Sequence, residues 1–153
     1  MVLYEIITNK VLVISVCAWA MAQLLKVFIG LVREKRFDLH YFVASGGMPS
    51  SHTALVCALA TAVAMTQGLN SVAFAIAIIL AIVVMYDAAG VRQSVSKQSV
   101  VLNRIVKEFS VKRPKGEMER DLREFIGHTP FQVIMGAILG ILIAWLWLTI
   151  SAL

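Results

Sequence analysis

Four stretches of the chain are apolar on nearly every face, and polar clusters separate them. The first runs from about Ile6 to Val32 and carries Lys10 near one end and Lys26 near the other. The second begins near Pro49 and continues to about Gln67, the third covers Ser71 to Met85 and ends at Tyr86-Asp87, and the last runs from about Thr129 to Ala152. A helix needs about 20 residues to cross a bilayer core, and a segment apolar all round suits lipid or a buried position. Lysines near the ends of such a segment can extend their ammonium groups toward the headgroups.

Between the third and fourth stretches the pattern changes. Val91, Val95, Leu102, Ile105, Val106 and Phe109 recur at helical spacing, with Arg92, Lys97, Arg104 and Lys107 among them. This spacing predicts an amphipathic helix lying in the membrane interface. Lys112-Arg113-Pro114-Lys115-Gly116 ends it, and a short charged helix is expected over Glu117 to Phe125. Gly68-Leu69-Asn70 reads as a tight turn, and Gly46-Gly47-Met48-Pro49 closes the polar segment that starts at Arg33. The pattern therefore predicts an all-α, polytopic membrane helical bundle, with about four transmembrane helices plus the interfacial helix, in one domain over 1–153.

Composition agrees: 59% of the 153 residues are hydrophobic, against about 45–50% in soluble domains. The run Val11 to Val16 before Ala18-Trp19-Ala20 has the look of a signal peptide. The apolar residues continue to Leu25 and resume at Val27, which favours a retained span. Cys17 and Cys57 lie inside apolar runs without zinc-type or redox spacing, so they read as small hydrophobes and no metal or cofactor is called for. The formal charge of +5 comes with no basic stripe interleaved with exposed aromatics, which argues against nucleic acid. Anionic membrane lipids or a phosphate-bearing substrate fit better. Gly136 and Gly140 form a G-x-x-x-G pair that permits close helix approach, within the bundle or in a homodimer, the internal contact being favoured.

Of the 14 lysines and arginines, twelve fall in the 33–48 and 88–127 connections, while the 68–70 turn and the carboxyl end have none. The two basic connections are therefore expected on the cytoplasmic side of a bacterial plasma membrane, or of an organelle membrane, with both termini on the other side. Lys26, the Ser50-Ser51-His52 cluster, Asp87 and His128 then converge at one mouth. Intramembrane ionisable groups are costly, and a cluster of them points to function. Helix amino termini present unpaired N–H groups and a positive dipole end to an anion. Gly46 and Gly47 let the backbone approach an oxyanion, and Lys26 with nearby arginines, Arg92 among them, can neutralise phosphate. Two histidines beside a phosphate can share phosphoryl transfer, one attacking phosphorus and the other protonating the departing oxygen. Each piece also has a structural reading: Ser50 or Ser51 is a good helix cap, His128 precedes a helix start, and Asp87 is suited to an ion pair. His40 reads as interfacial only.

Taken together the residues resemble the type 2 phosphatidic acid phosphatase superfamily, to which the vanadium haloperoxidases also belong. Its motifs are K-x6-R-P, P-S-G-H and S-R-x5-H-x3-D. Lys26 and Arg33 have the first spacing, with Glu34 at the proline position, and Pro49-Ser50-Ser51-His52 matches the second with serine for glycine. His128, Pro130 and Gly136 have the spacing of the third segment, with Gln132 at the aspartate position and Arg123 five residues before His128 instead of six. With Tyr86-Asp87-Ala88-Ala89-Gly90-Val91-Arg92 between them, these blocks look like the small divergent branch of bacteria and plants.

The resemblance implies a metal-independent phosphomonoesterase acting on a lipid phosphate, such as phosphatidylglycerophosphate, phosphatidic acid or a polyprenyl phosphate. By matched position, His128 is the nucleophile, His52 the general acid, and Lys26, Arg33, Ser50 and Arg123 hold the phosphate. Gly47, Ser51 and Arg92 complete that cradle in the reading from the residues. Gln132 occupies the orienting position without a charge, and Asp87 is the candidate to supply one. The alternative is a catalytically degenerate membrane protein that binds anionic lipid or an acidic partner. A transporter has less support, because the ionisable groups gather at one face. Lipid phosphatases of this superfamily usually have six spans, so a four-span chain is compatible with a homodimer that closes the site.

Overall fold

The computed structural model describes residues 1–34, 47–91, 98, 101–102, 105 and 129–152. Its helices are α1 (Val2–Thr8), α2 (Lys10–Glu34), α3 (Ser51–Gln67), α4 (Val72–Tyr86) with a π-helical turn over Asp87–Val91, and α5 (Pro130–Ile150). No strand occurs among the described residues. Gln98, Val101, Leu102 and Ile105 are helical and exposed. The rest of the expected interfacial helix, and the charged helix over 117–125, lie outside the described residues.

Local chemistry sets the boundaries. The first span is expected from Ile6, but the helix breaks at Asn9, whose side-chain oxygen accepts the Leu12 N–H at 3.1 Å and starts α2 afresh. An asparagine that offers the backbone a local acceptor favours such a restart over helix continuation. Ser50 caps α3, Ser71 caps α4 by accepting the Phe74 N–H at 3.1 Å, and Gly68, at φ 83°, ends α3. The fourth span starts with a capping box: the Thr129 hydroxyl accepts the Gln132 N–H, and the Gln132 side-chain oxygen accepts the Thr129 N–H at 3.0 Å. Pro130 occupies the first helical turn, where its missing N–H costs nothing.

Helix α3 sits at the centre and touches α2, α4 and α5, while α2 also touches α5. Lys26 lies beside Ser51, and Ile14 and Ala18 pack with Ala58 and Ala62, so α2 and α3 are antiparallel. The short turn at 68–71 makes α4 antiparallel to α3 as well. Helix α5 instead runs parallel to α3: Gly136 meets Ser50 and Thr53, Gly140 meets Ala54, and Ala144 joins Ala58 and Ala62. The carboxyl ends of α2 and α4 and the amino ends of α3 and α5 therefore share one end of the bundle.

The side chains are sorted by size in a way that suits lipid. Alanines 54, 58, 60, 62, 77, 81 and 144 and both glycines of α5 are buried, whereas Phe28, Ile79, Ile82, Ile134, Ile141 and Trp145 are exposed. Between helices in lipid no hydrophobic force drives packing, so small residues that let backbones approach take the interior. Among the described residues three helices, Lys10–Val32, Val72–Gly90 and Pro130–Ile150, are long and apolar enough to cross a membrane. The central α3 has 17 residues; at about 1.5 Å rise it spans roughly 25 Å, close to the hydrocarbon thickness of about 30 Å. The fold is an all-α membrane bundle of about four spans.

Candidate functional site

At the shared end of the bundle a lysine is enclosed. Lys26 is 2% exposed, and its Nζ donates to the Ser51 Oγ, itself 1% exposed, at 3.0 Å. Gly47 covers the lysine stem: a Cβ placed on it would stand 3.7 Å from the Lys26 Cδ and 3.8 Å from its Cγ. That is ordinary contact distance. Glycine is demanded there by its φ of +93°, a backbone conformation that a side chain resists.

Ser50, 0% exposed, is committed differently. Its Oγ accepts from the Thr53 Oγ1 at 3.0 Å and from the Thr53 N–H at 3.4 Å, and its own N–H donates to the Gln132 carbonyl oxygen at 3.0 Å. Ser50 thus caps α3 and ties it to the first turn of α5. The tie requires close approach, and Gly136 provides it: a Cβ at that position would collide with the Ser50 carbonyl oxygen. At Gly140, one turn on, it would collide with the Ala54 carbonyl oxygen.

The other expected site residues fall as follows. His52 is exposed in the first turn of α3, between the buried Ser51 and Thr53. Asp87 is half-buried and opens the π-helical turn, with its N–H shared between the Val83 and Val84 carbonyls, and that turn packs against α5. The third span therefore does not stop at Asp87 but continues through Ala88, which is buried. Gln132 spends its side-chain oxygen on the Thr129 cap and its carbonyl on Ser50. Arg33 lies in the last turn of α2. Arg92, Arg123 and His128 lie outside the described residues, as does His40.

The described residues thus bring together Lys26, Gly47, Ser50, Ser51 and the backbone of Gln132, with His52 adjoining. Sequence reasoning missed Thr53 and Thr129. The signal for both was present, since Ser50-x-x-Thr53 and Thr129-x-x-Gln132 each have cap spacing.

Electrostatically this end combines both signs, since Asp87 and the carboxyl ends of α2 and α4 stand at the same end as Lys26. Among the described residues the hydrogen-bond partner of the Lys26 ammonium is nonetheless a neutral hydroxyl. The parallel α3 and α5 add two positive dipole ends at the same level. A buried cation at paired helix amino termini is favourable only with an anion to answer it.

The chain is similar in sequence to known proteins. The family model described as "Divergent PAP2 family" matches residues 7–143. The chain is 38% identical over 148 residues to the "Uncharacterized membrane protein YuiD" of Bacillus subtilis (strain 168), an alignment covering 91% of this chain and 94% of that one. No solved structure matches the chain.

Proposed function

The chain belongs to the divergent PAP2 family and is an integral membrane protein, and on that premise we propose that it hydrolyses a phosphomonoester lipid at the cytoplasmic side of the membrane. The observation that carries the reading is the buried Lys26 ammonium, held on Ser51 at the amino ends of two parallel helices, which calls for an anion within the membrane boundary. The basic connections at 33–48 and 88–127 support the cytoplasmic placement. A substrate lipid would enter laterally with its phosphate at that end of the bundle.

By the matched motif positions, His128 attacks phosphorus, the bond from phosphorus to the lipid oxygen breaks, and His52 gives that oxygen its proton. Water then attacks the phosphohistidine with His52 as base, releasing inorganic phosphate and restoring both histidines. Lys26, Arg33 and Arg123 hold the phosphate oxygens, joined by Arg92, which follows the π-helical turn in sequence. The negative charge the family places beside the nucleophile falls to Asp87, since Gln132 has none. Phosphatidylglycerophosphate, phosphatidic acid and polyprenyl phosphates are the substrates to try.

One observation favours a second reading. The Gln132 side-chain oxygen accepts the Thr129 N–H, so the group at the family's aspartate position is occupied in a helix cap. A chain that has given up that carboxylate for helix stability fits a membrane protein that binds anionic lipid without cleaving it. Inorganic phosphate release from a panel of lipid phosphates in detergent, by wild type, His52→Ala and His128→Ala with matched melting temperatures, separates the two. Release that either substitution abolishes supports the phosphatase; no release from any lipid, with retained binding of anionic lipid, supports the second reading.

A further inference from the structure

The motif serines are adjacent in sequence but make different contacts. Ser50, with the Thr53 hydroxyl and N–H on its oxygen, is spent on starting α3 and joining it to α5. Ser51 stands where the family motif has glycine, and it is the residue whose hydroxyl accepts from Lys26 at 3.0 Å, with both side chains enclosed. A lysine stem has four rotatable carbons and its ammonium is a point charge that takes many positions. Here the stem is covered by Gly47 and the ammonium is fixed by an oxygen on the first, rigid turn of α3.

We propose that Ser51 is a positioning residue: it holds the Lys26 ammonium ready for the phosphate, while Ser50 serves the helix cap. The inference rests on the phosphate-site reading above and deepens it. A glycine at this position has no oxygen to give, so a lysine opposite it must be ordered by the incoming anion. With serine the ordering is complete beforehand, and less of the binding energy is lost to immobilising the side chain. One lone pair of the Ser51 oxygen is taken by Lys26, and its O–H proton remains to donate toward an anion oxygen.

The test is isothermal titration of inorganic phosphate into the full chain in detergent, for wild type, Ser51→Ala, Ser51→Gly and Ser51→Thr, with melting temperatures measured alongside. Ser51→Ala and Ser51→Gly are expected to bind phosphate about tenfold more weakly or worse, the scale of one charge-assisted hydrogen bond. Ser51→Thr, which keeps the hydroxyl, is expected within about threefold of wild type on the same scale. A purely structural serine would lose melting temperature and affinity together and would not separate Thr from Ala. Should Ser51→Thr fail to fold, the two hydroxyl-free variants decide the matter by themselves. Wild-type binding of phosphate with an unchanged affinity in Ser51→Ala and Ser51→Gly overturns the positioning role alone. Absence of phosphate binding in wild type overturns the phosphate-site reading and this inference with it.

Discussion

Replacing Gly136 with alanine tests the frame that carries the site. The new Cβ would collide with the Ser50 carbonyl oxygen and stand 3.1 Å from the Thr53 Cβ and 3.2 Å from the Ser50 carbonyl carbon. None of these atoms is the loose end of a flexible side chain, so the helices themselves must part. Non-bonded carbons rest at about 3.5–4.0 Å, which sets the retreat of α5 at the order of 1 Å. That retreat stretches the Ser50 N–H to Gln132 carbonyl bond from 3.0 Å beyond the distance at which it counts as a bond. Leaving those groups unpaired away from water costs about 1–3 kcal/mol, and the disturbed α3–α5 packing adds about 1–3 kcal/mol.

The expected loss is therefore about 2–6 kcal/mol, and at about 2–4 °C per kcal/mol for a chain of this size the melting temperature should fall by about 4–24 °C. A thiol-reactive dye in detergent reads this directly, because Cys57 is buried between α3 and α4 and becomes reactive on unfolding. Gly90→Ala is the control: a Cβ there meets nothing within 4 Å, and surface-type changes stay within about 0.5 kcal/mol. Gly136→Ala melting together with Gly90→Ala would refute the tight α3–α5 contact and the tie between the two helix starts.

Substitutions at three further positions probe separate parts of the same end. Lys26→Met removes a buried cation and keeps the volume, so the melting temperature should hold or rise while phosphate affinity drops at least about tenfold; parallel loss of both would contradict a charge kept for ligand binding. Gly47→Ala has room for its methyl but not the backbone conformation, at φ +93°, and should cost about 1–2 kcal/mol; an unchanged melting temperature would remove the reason given for glycine there. Thr129→Ala opens the capping box of α5 and should cost about 1 kcal/mol, while Thr129→Ser should cost little, and equal losses in the two would show that the hydroxyl is not the cap.

The spans were legible because an apolar run of membrane length has hardly any stable place outside a bilayer, and the sharing of one end by Lys26, Ser51 and Asp87 followed from counting spans. The G-x-x-x-G pair announced a close contact, but sequence carries no label for the partner; that it is the parallel α3 emerges only from the Ser50 and Ala54 carbonyls beneath the two glycines. The break at Asn9 was hidden because one polar residue among apolar ones hardly changes the pattern, although its side chain is enough to start a new helix. The π-helical turn was hidden for the opposite reason: Ala88-Ala89-Gly90-Val91 reads like the helix before it. Ser50 and Ser51 are chemically identical neighbours, and it is the switch from extended backbone at Ser50 (φ −69°, ψ 113°) to helix at Ser51 that gives one to the cap and the other to Lys26. The capping role of Gln132 was obscured by the motif position it occupies, which draws attention to a missing charge and away from Thr129.

The parallel pairing of α3 with α5 also sets an order of events during synthesis. Of the four spans, α5 is the last to leave the ribosome, and its partners α2, α3 and α4 can already have met in the membrane. In that three-span intermediate the Lys26–Ser51 bond can form, yet the Ser50 N–H has no Gln132 carbonyl to receive it and the groove over the Ala54 carbonyl lies open to lipid. Insertion of the final helix fills the groove and brings the Gln132 carbonyl to the Ser50 N–H, so a chain that stalls before it keeps the Lys26–Ser51 pair but lacks the tie between the two helix starts.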